Sequence, residues 1–219
     1  MTVVTPSYRI ITDISEGGKE ELRRIERVAR NSYQSQNDDF EKTKKFVSNL
    51  IAKGHESPLE FSQLEVQFIC DRGISHEIVR HRLFSFNQES TRYCKYDDGV
   101  QFVAPYWTLN AKGEYIGESF APNTVEGETF RMWKLAMMNA EDTYIYMLDH
   151  CACSPQMARA VLPNSTKTSL LVSGNYREWR NFFKLRTAPD AHPDMLKLTV
   201  PLLKELQEKL TIIFDMSHA

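Results

Sequence analysis

The sequence lacks the glycine-rich motifs with which most nucleotide-binding folds hold phosphates. It contains neither the GxGxxG turn of dinucleotide-binding domains nor the GxxxxGK[ST] loop of P-loop proteins. A GxSxG nucleophile elbow is also absent. With only nine glycines in 219 residues, few backbone segments can approach a phosphate closely. Any nucleotide bound by this chain must therefore be held mainly by side chains.

Long apolar runs and export signals are absent as well. No run of about 18 apolar residues is present, as a membrane-spanning helix would need. The first residues, MTVVTPSYRIITDIS, lack the basic and apolar regions of a signal peptide. We therefore expect a cytoplasmic protein without membrane contact, and we expect reduced thiols at all four cysteines, Cys70, Cys94, Cys151 and Cys153.

Charge is nearly balanced over the whole chain but not locally. The net charge is −2, from 27 basic and 29 acidic residues, which does not favour a nucleic-acid partner. The segment RHRLFSFNQESTRY, residues 80–93, nevertheless holds three arginines and a single acid, Glu89. Guanidinium groups suit phosphates and carboxylates, and the nearby amides and hydroxyls suit the edges of a heterocycle. The alternative interpretation is a solvated basic helix end.

A second candidate segment, GNYREWRNFFKLRT, spans residues 174–187. Helical spacing places Arg177, Asn181 and Lys184 on one face. Arg186 lies on the other face with the aromatic residues Trp179, Phe182 and Phe183. An inward arginine needs a partner, because burial of an unpaired charge is costly. The partner is either an internal acid or an anionic ligand.

Two further features carry weaker signals. His55 lies in a loop after Gly54, and a lone loop histidine is usually not functional. The HCAC segment, with His150, Cys151 and Cys153, offers zinc-binding atoms but lacks the second ligand pair that structural zinc sites have. We therefore favour reduced cysteines at a helix end over a zinc site.

Hydrophobic periodicity predicts a mixed α/β fold, with a sheet covered by helices, in a single domain over residues 1–219. The expected strands are 8–13, 64–70, 93–95, 100–103 and 167–173. The expected helices are 19–33, one capped by Asp38 or Asp39 and ending at Gly54, 74–82, 128–149, one opening at Ser154-Pro155, 176–187 and 195–214. Residues 105–125 are expected to form a loop.

Several ordered blocks resemble one enzyme family. Arg80-His81-Arg82, seven further residues and Ser90 resemble the RHRx7S motif of the flavin-dependent thymidylate synthases. The flanking segments HESPLEF, DRGISHEIVRHR, ARAVLP, GNYREWRNFF and KLR follow in that family's order. Together these blocks span roughly residues 55–192.

The resemblance implies a fold, a reaction and an assembly. The fold would have a central, mostly antiparallel sheet flanked by helices, and the chain would form a homotetramer with shared active sites. Each site would hold FAD and convert dUMP to dTMP. Methylenetetrahydrofolate would give the one-carbon unit and NADPH would reduce the flavin. No metal and no nucleic acid are expected.

The resemblance also assigns residues. It places at the flavin Ser57, Arg80, His81, Arg82, Gln88, Asn175, Arg177 and Asn181, with His55 near flavin and folate. It places at dUMP Glu77, Arg80, Gln88, Glu89, Ser90, Thr91, Arg92, Arg159 and Arg186. Arg186 would act in catalysis by favouring loss of the uracil N3 proton, which raises electron density at C5. Ser90 would bind by hydrogen bonds, because no adjacent base activates it as a nucleophile.

Two alternatives from other classes stay open at this point. One is a nucleotide- or RNA-binding module that uses the arginine and aromatic groups without catalysis. The other is a zinc hydrolase built on His150, Cys151 and Cys153.

The sequence also departs from the family pattern at two positions. Gln88 stands where some family members carry Glu, and Glu77 stands where some carry Gln, so the charge near the pyrimidine is redistributed.

Overall fold

The computed structural model describes residues 1–31 and 38–217, and the contacts of the chain group it into two units. Unit 1 comprises Met1–Ser7, Phe68–Arg80 and Asn87–Leu170. Unit 2 comprises Tyr8–Gln67, His81–Phe86 and Leu171–Ala219. The prediction of a single domain over residues 1–219 stays a prediction. Each unit is described below by itself.

Among the described residues, six strands form two sheets. Strands β1 (Thr2–Val4) and β5 (Gln101–Val103) pair in parallel, with Val3 opposite Phe102. The second sheet has four strands in the order β2-β3-β6-β4. These strands are β2 (Ser7–Ile10), β3 (Gln63–Asp71), β4 (Ser85–Gln88) and β6 (Lys167–Asn175). In β3 and β6 every second side chain is buried, as expected for strands with one face in a core.

Seven α-helices complete the described structure. They are α1 (Lys19–Arg30), α2 (Phe40–Ala52), α3 (Arg72–Ile78), α4 (Val125–Asp149), α5 (Pro155–Ala158), α6 (Tyr176–Arg186) and α7 (Pro193–Lys209). Short 3₁₀ turns lie between them, including Ser57–Phe61. The expectation of a mixed α/β fold with helices and an antiparallel sheet is confirmed.

The core of unit 1 forms around strand β5 and the inner face of α4. Val100 and Phe102 pack with Met137 and Tyr144 of α4. Near one end of this cluster Glu141, also on α4, is buried and accepts a hydrogen bond from the backbone N–H of Val100 at 2.8 Å. Helix α4 thus supplies apolar contacts to β5 and a hydrogen-bond acceptor for the backbone N–H of Val100, directly before β5.

The core of unit 2 is aromatic. Trp179, Phe182 and Phe183 of α6 are fully buried, as their spacing predicts. The Trp179 indole N–H donates to the backbone carbonyl of Leu64 in β3 at 2.9 Å, so the one polar atom of that side chain has a partner. Phe84 packs on Trp179 with ring centroids 4.6 Å apart. This packing fixes the helix that carries Arg177 and Asn181, two of the predicted flavin residues.

Some local predictions are confirmed and others are wrong. Asp39, not Asp38, caps α2, because its carboxylate accepts from the N–H groups of Glu41 and Lys42. The predicted strand 93–95 is wrong: the N–H groups of Tyr93 and Cys94 both donate to the carbonyl of Ser90, which forms a turn. Strands β1 and β4 were not predicted, and α3 ends at Ile78 rather than at 82. The predicted extension of α1 to 33 lies beyond Asn31, outside the described residues.

Candidate functional site

The three residues of the RHR segment follow α3 and differ in exposure. Arg80 and Arg82 are exposed, and within residues 1–31 and 38–217 neither side chain forms an ion pair or a hydrogen bond. Both guanidinium groups can therefore meet an anion from solvent. His81, in contrast, is buried in unit 2, where its ring packs edge-on against Phe182 with centroids 4.9 Å apart.

His81 contacts two residues of α6. Its Nδ1 lies 3.3 Å from Oε1 of Glu178, and its Nε2 accepts a hydrogen bond from Nε of Arg186 at 3.0 Å. Burial and the positive charge of Arg186 lower the pKa of His81, although Glu178 opposes the shift. The ring is therefore held neutral. Arg186, expected to point inward, is half-buried and has this imidazole as one partner.

A cavity of about 790 Å³ in unit 2 is lined by the predicted flavin residues of α6 and of its N-cap. Asn175, Arg177 and Asn181 line it together. Asn175 also caps the helix, since its Oδ1 accepts from the N–H of Glu178 at 2.9 Å. Lys184 lines the same cavity, as its spacing from Arg177 and Asn181 predicts. Among the described residues the ammonium group of Lys184 has no ion-pair partner.

Sequence reasoning missed several residues of this cavity, among them Glu56, Glu60 and Leu83. Glu56 and Glu60 approach Arg177, with Glu60 at 2.5 Å and Glu56 at 4.0 Å. Leu83 also lines the cavity although it is 75% exposed. The motifs could have indicated these residues, because Glu56 and Glu60 lie in the HESPLEF segment and Leu83 directly follows the RHR segment. An exposed leucine beside polar groups is typical of a surface that takes a flat, partly apolar ligand.

His55 and Ser57 line a second cavity of unit 2, of about 620 Å³. The structure brings these two predicted residues together with Arg27 and Asn31 of the α1 region, and with Phe61. Neither Arg27 nor Asn31 belongs to a motif identified in the sequence, and α1 shows only helical periodicity there. Their presence could not be predicted, because it depends on how α1 packs.

The predicted nucleotide block, residues 88–92, lies in unit 1 at the end of β4. Gln88 donates from Nε2 to the hydroxyls of Ser75 and Thr168, at 2.9 and 3.2 Å. These two bonds fix the orientation of the amide. Among the described residues the amide oxygen of Gln88 has no side-chain hydrogen-bond partner, so it can accept a hydrogen bond from a ligand.

Glu89 has two partners in unit 1. Oε1 accepts from the hydroxyl of Tyr96 at 2.7 Å, and Oε2 accepts from the ammonium of Lys167 at 2.8 Å. Burial raises the pKa of Glu89, but the hydrogen bonds from Lys167 and Tyr96 outweigh burial, so the net shift is downward. Burial and Glu89 together raise the pKa of Tyr96. The carboxylate is therefore charged and fixed at neutral pH.

Two exposed arginines of unit 1 lie near the same block. Arg92 donates from Nε to Oε1 of Gln156 at 3.1 Å, and Arg159 donates from Nη1 to the hydroxyl of Thr91 at 3.4 Å. The hydroxyl of Ser90 accepts from the backbone N–H of Arg92 at 3.3 Å. This arrangement presents two guanidinium groups beside a turn of hydroxyl side chains, which suits a phosphate ester. Glu77 lies half-buried near the end of α3.

In the described part of the chain, no group of three or more His, Cys, Asp or Glu side chains is placed to hold a metal ion, and His150, Cys151 and Cys153 form no such group. No helix among the same residues is long and apolar enough to cross a membrane.

Comparison with known proteins identifies the family. The sequence profile of the family described as "Thymidylate synthase complementing protein" matches residues 14–210. The chain belongs to this family. The flavin-dependent thymidylate synthase of Mycobacterium tuberculosis is 30% identical over 194 residues, which cover 87% of this chain and 77% of the relative. That of Corynebacterium aurimucosum is 29% identical over 224 residues, which cover 94% of this chain and 84% of the relative.

Solved structures share the fold of this thymidylate synthase family member. The UMP/dUMP methylase PolB of Streptomyces cacaoi, bound with 5-Br dUMP, superposes with a TM-score of 0.78 at 20% identity, over 99% of this chain and 96% of that chain. Its complex with 5-Br UMP gives a TM-score of 0.76 at 21% identity, over 99% and 95%. The resemblance found in the RHR segment and its flanking blocks is thus confirmed at the level of the family, and the chain is an enzyme of the flavin-dependent thymidylate synthase type.

Proposed function

We propose that the chain methylates dUMP to dTMP with FAD, methylenetetrahydrofolate and NADPH. The observation that carries this proposal is the cavity of about 790 Å³ lined by Asn175, Arg177 and Asn181, residues at the start of α6 and within it that the family resemblance assigns to the flavin. Family membership supplies the reaction class. The reductant NADPH and the folate co-substrate follow from the resemblance.

The residues of the cavity fit FAD chemically. Asn175 and Asn181 offer amide groups, and Arg177 and Lys184 offer cationic donors for the pyrophosphate. Glu60 forms an ion pair with Arg177, and this pair orients the guanidinium group before a ligand binds. We assign Ser57, His55, Arg80 and Arg82 to the same cofactor. His81 would support the site from within unit 2, because both of its ring nitrogens already have side-chain partners. When bound, FAD supplies the hydride that completes the methyl group.

We assign the nucleotide to the unit 1 residues. Arg92 and Arg159 would hold the phosphate of dUMP with Ser90 and Thr91, because guanidinium and hydroxyl donors suit a phosphate. The oriented amide oxygen of Gln88 would accept from the base or the ribose, and Glu77 and Arg80 would complete the set. The carboxylate of Glu89 would stay bonded to Lys167 and Tyr96. The backbone of Glu89 would support the turn that carries Ser90 and Thr91.

Arg186 would lie against the pyrimidine. A guanidinium there stabilises the negative charge that develops when the N3 proton leaves, and this makes C5 a better nucleophile. No attack by a cysteine on the ring is required. Ser90 would position the nucleotide by hydrogen bonding, since none of its described contacts is with a base.

We further propose a cytoplasmic homotetramer whose active sites take residues from more than one subunit. This follows from the family resemblance. Light scattering of the purified protein measures it directly: a mass of one chain, 25.4 kDa, in the presence of FAD would contradict it.

The proposal is tested by incubating the purified protein with dUMP, methylenetetrahydrofolate, FAD and NADPH and measuring dTMP. We expect a yellow protein whose flavin absorbance bleaches under NADPH, and dTMP formation that requires all four compounds. A colourless protein that takes up no FAD but binds nucleotides or RNA would favour a binding module. Stoichiometric zinc without dTMP formation would favour a hydrolase.

A further inference from the structure

Three side chains of unit 2 form a continuous hydrogen-bonded chain. Glu178 and His81 are buried, with 5% and 6% of their surfaces exposed, and their Oε1 and Nδ1 atoms are 3.3 Å apart. On the other side of the ring, Nε2 of His81 lies 3.0 Å from Nε of Arg186. The imidazole therefore bridges an acid and a guanidinium, although the three residues come from two distant segments.

The direction of each hydrogen bond follows from chemistry. A guanidinium remains protonated in proteins and only donates hydrogen bonds. Nε2 of His81 must then be the acceptor and carries no proton. The proton of the neutral ring is therefore on Nδ1, where Glu178 accepts it. Any other protonation state would place two N–H donors face to face between His81 and Arg186.

The surroundings favour this arrangement. Apolar rings of Phe84 and Phe182 cover the imidazole, so water is a poor substitute for either hydrogen bond. The groups that face the ring with charge are Glu178 and Arg186, and burial together with Arg186 lowers the pKa of His81. Glu178 is itself oriented by Asn181, whose Nδ2 lies 3.4 and 3.3 Å from its two carboxylate oxygens.

We propose that Glu178 is a positioning residue that fixes the Nδ1–H form of His81 and thereby holds the guanidinium of Arg186 in one orientation. The inference rests on the proposed function, because it concerns the arginine assigned to the pyrimidine. It gives Glu178 a role that neither the motif blocks nor the cavity assigned to it.

The benefit to catalysis is orientational. A long arginine side chain has several rotatable bonds, and an Nε–H bonded to a fixed acceptor removes much of that freedom before the substrate binds. With Nε held, the plane of the guanidinium is fixed. Small displacements of a group that stabilises transition-state charge reduce the rate strongly.

The first experiment reads the proton directly. The full chain is labelled with ¹⁵N-histidine, and the His81 signal is assigned by its loss in His81→Gln. At neutral pH we expect a neutral ring with the proton on Nδ1. A ring protonated at Nε2, or at both nitrogens, would overturn the inference. This measurement needs no substrate, so it decides the tautomer even if the protein forms no dTMP, the result that would refute the proposed function.

The second experiment separates positioning from folding. At saturating FAD, we expect Glu178→Leu to lower kcat for dTMP formation by about 10²-fold, with KM for dUMP changed much less. Glu178→Gln keeps a carbonyl that accepts from Nδ1–H, so it should recover most of the loss. Glu26→Gln is the matched control, because Glu26 is an equally buried acid of unit 2 that bonds Thr43 and Arg30 instead.

The outcomes are distinct. If Glu178→Leu keeps the wild-type kcat, or if Glu178→Gln is as impaired as Glu178→Leu, Glu178 does not act through the tautomer of His81 and the inference fails. If both Glu178→Gln and Glu26→Gln lose kcat and unfold at the same lower temperature, the role of Glu178 is structural and the inference also fails. A kcat loss confined to Glu178→Leu supports it.

Discussion

Gly174 lies directly against the ring of Phe84. A Cβ atom on Gly174 would lie 2.1 Å from Cδ1 of that ring, far inside contact distance. Phe84 in turn packs on Trp179 and Phe182 in the core of unit 2. The glycine in β6 is therefore required by packing, and its backbone conformation does not require it.

We expect Gly174→Ala to lower the free energy of unfolding by about 1–3 kcal/mol, the usual cost of overpacking a core. Chemical denaturation measures it. A double-mutant cycle with Phe84→Leu tests the cause, since the methyl group should cost less when the aromatic ring is gone. An equal cost in both backgrounds would show that Phe84 is not the obstacle.

The cap of α2 gives a second stability prediction. Asp39→Ala removes the carboxylate that accepts from the N–H groups of Glu41 and Lys42. We expect a loss of about 1 kcal/mol in the free energy of unfolding. Asp38→Ala is the matched control, because the neighbouring acid does not cap the helix, and it should stay within about 0.5 kcal/mol of the wild type. The reverse order would mean that Asp38 is the cap.

The ion pair of Glu89 predicts a pH dependence. The pKa of Glu89 is lowered from 4.5 in the folded chain, so its contribution to stability is present above pH 4.5 and is lost as the pH falls through the lowered pKa. At about pH 7 we expect Glu89→Gln to cost about 2 kcal/mol, the usual loss for hydrogen bonds to a charged group. The difference between variant and wild type should shrink in acid.

The free energy of unfolding of Glu89→Gln and of the wild type, measured across this pH range, tests this prediction. Tyr96→Phe should show part of the same effect, because it removes one of the two side-chain hydrogen bonds to Glu89. A difference that stays constant down to acid pH would mean that the charge of Glu89 contributes nothing.

Arg186 is the residue whose loss should affect chemistry most. We expect Arg186→Ala to lower kcat/KM for dTMP formation by about 10²–10³-fold, the range found when one donor to a developing negative charge is removed. Flavin absorbance of the purified protein should be kept. Arg177→Ala is the contrasting variant, because it alters the cavity assigned to FAD and should weaken flavin uptake first. Full activity of Arg186→Ala would contradict the role of this arginine.

What could be predicted from the sequence depended on local periodicity. The burial of Trp179, Phe182 and Phe183 was predicted because helical spacing is a property of neighbouring residues. The polar face with Arg177 and Asn181 was predicted for the same reason. The family resemblance supplied the reaction, which spacing alone could not.

Long-range contacts could not be predicted from the sequence. The hydrogen bonds of His81 to Glu178 and Arg186 join residues about a hundred positions apart, and no local pattern indicates them. Strand β4 was not predicted because it is four residues long and three of them, Ser85, Asn87 and Gln88, are polar. The predicted strand 93–95 is wrong because the carbonyl of Ser90 accepts from the N–H groups of Tyr93 and Cys94, which closes a turn, and no local pattern indicates this.

The parallel pairing of β1 with β5 has a consequence for synthesis on the ribosome. Thr2–Val4 leaves the exit tunnel about a hundred residues before its partner Gln101–Val103. Until the partner emerges, the backbone groups of Thr2–Val4 are unpaired, and closing so long a loop is slow. This strand should therefore dock late, and a chaperone that shields it in the meantime would raise the yield of native protein.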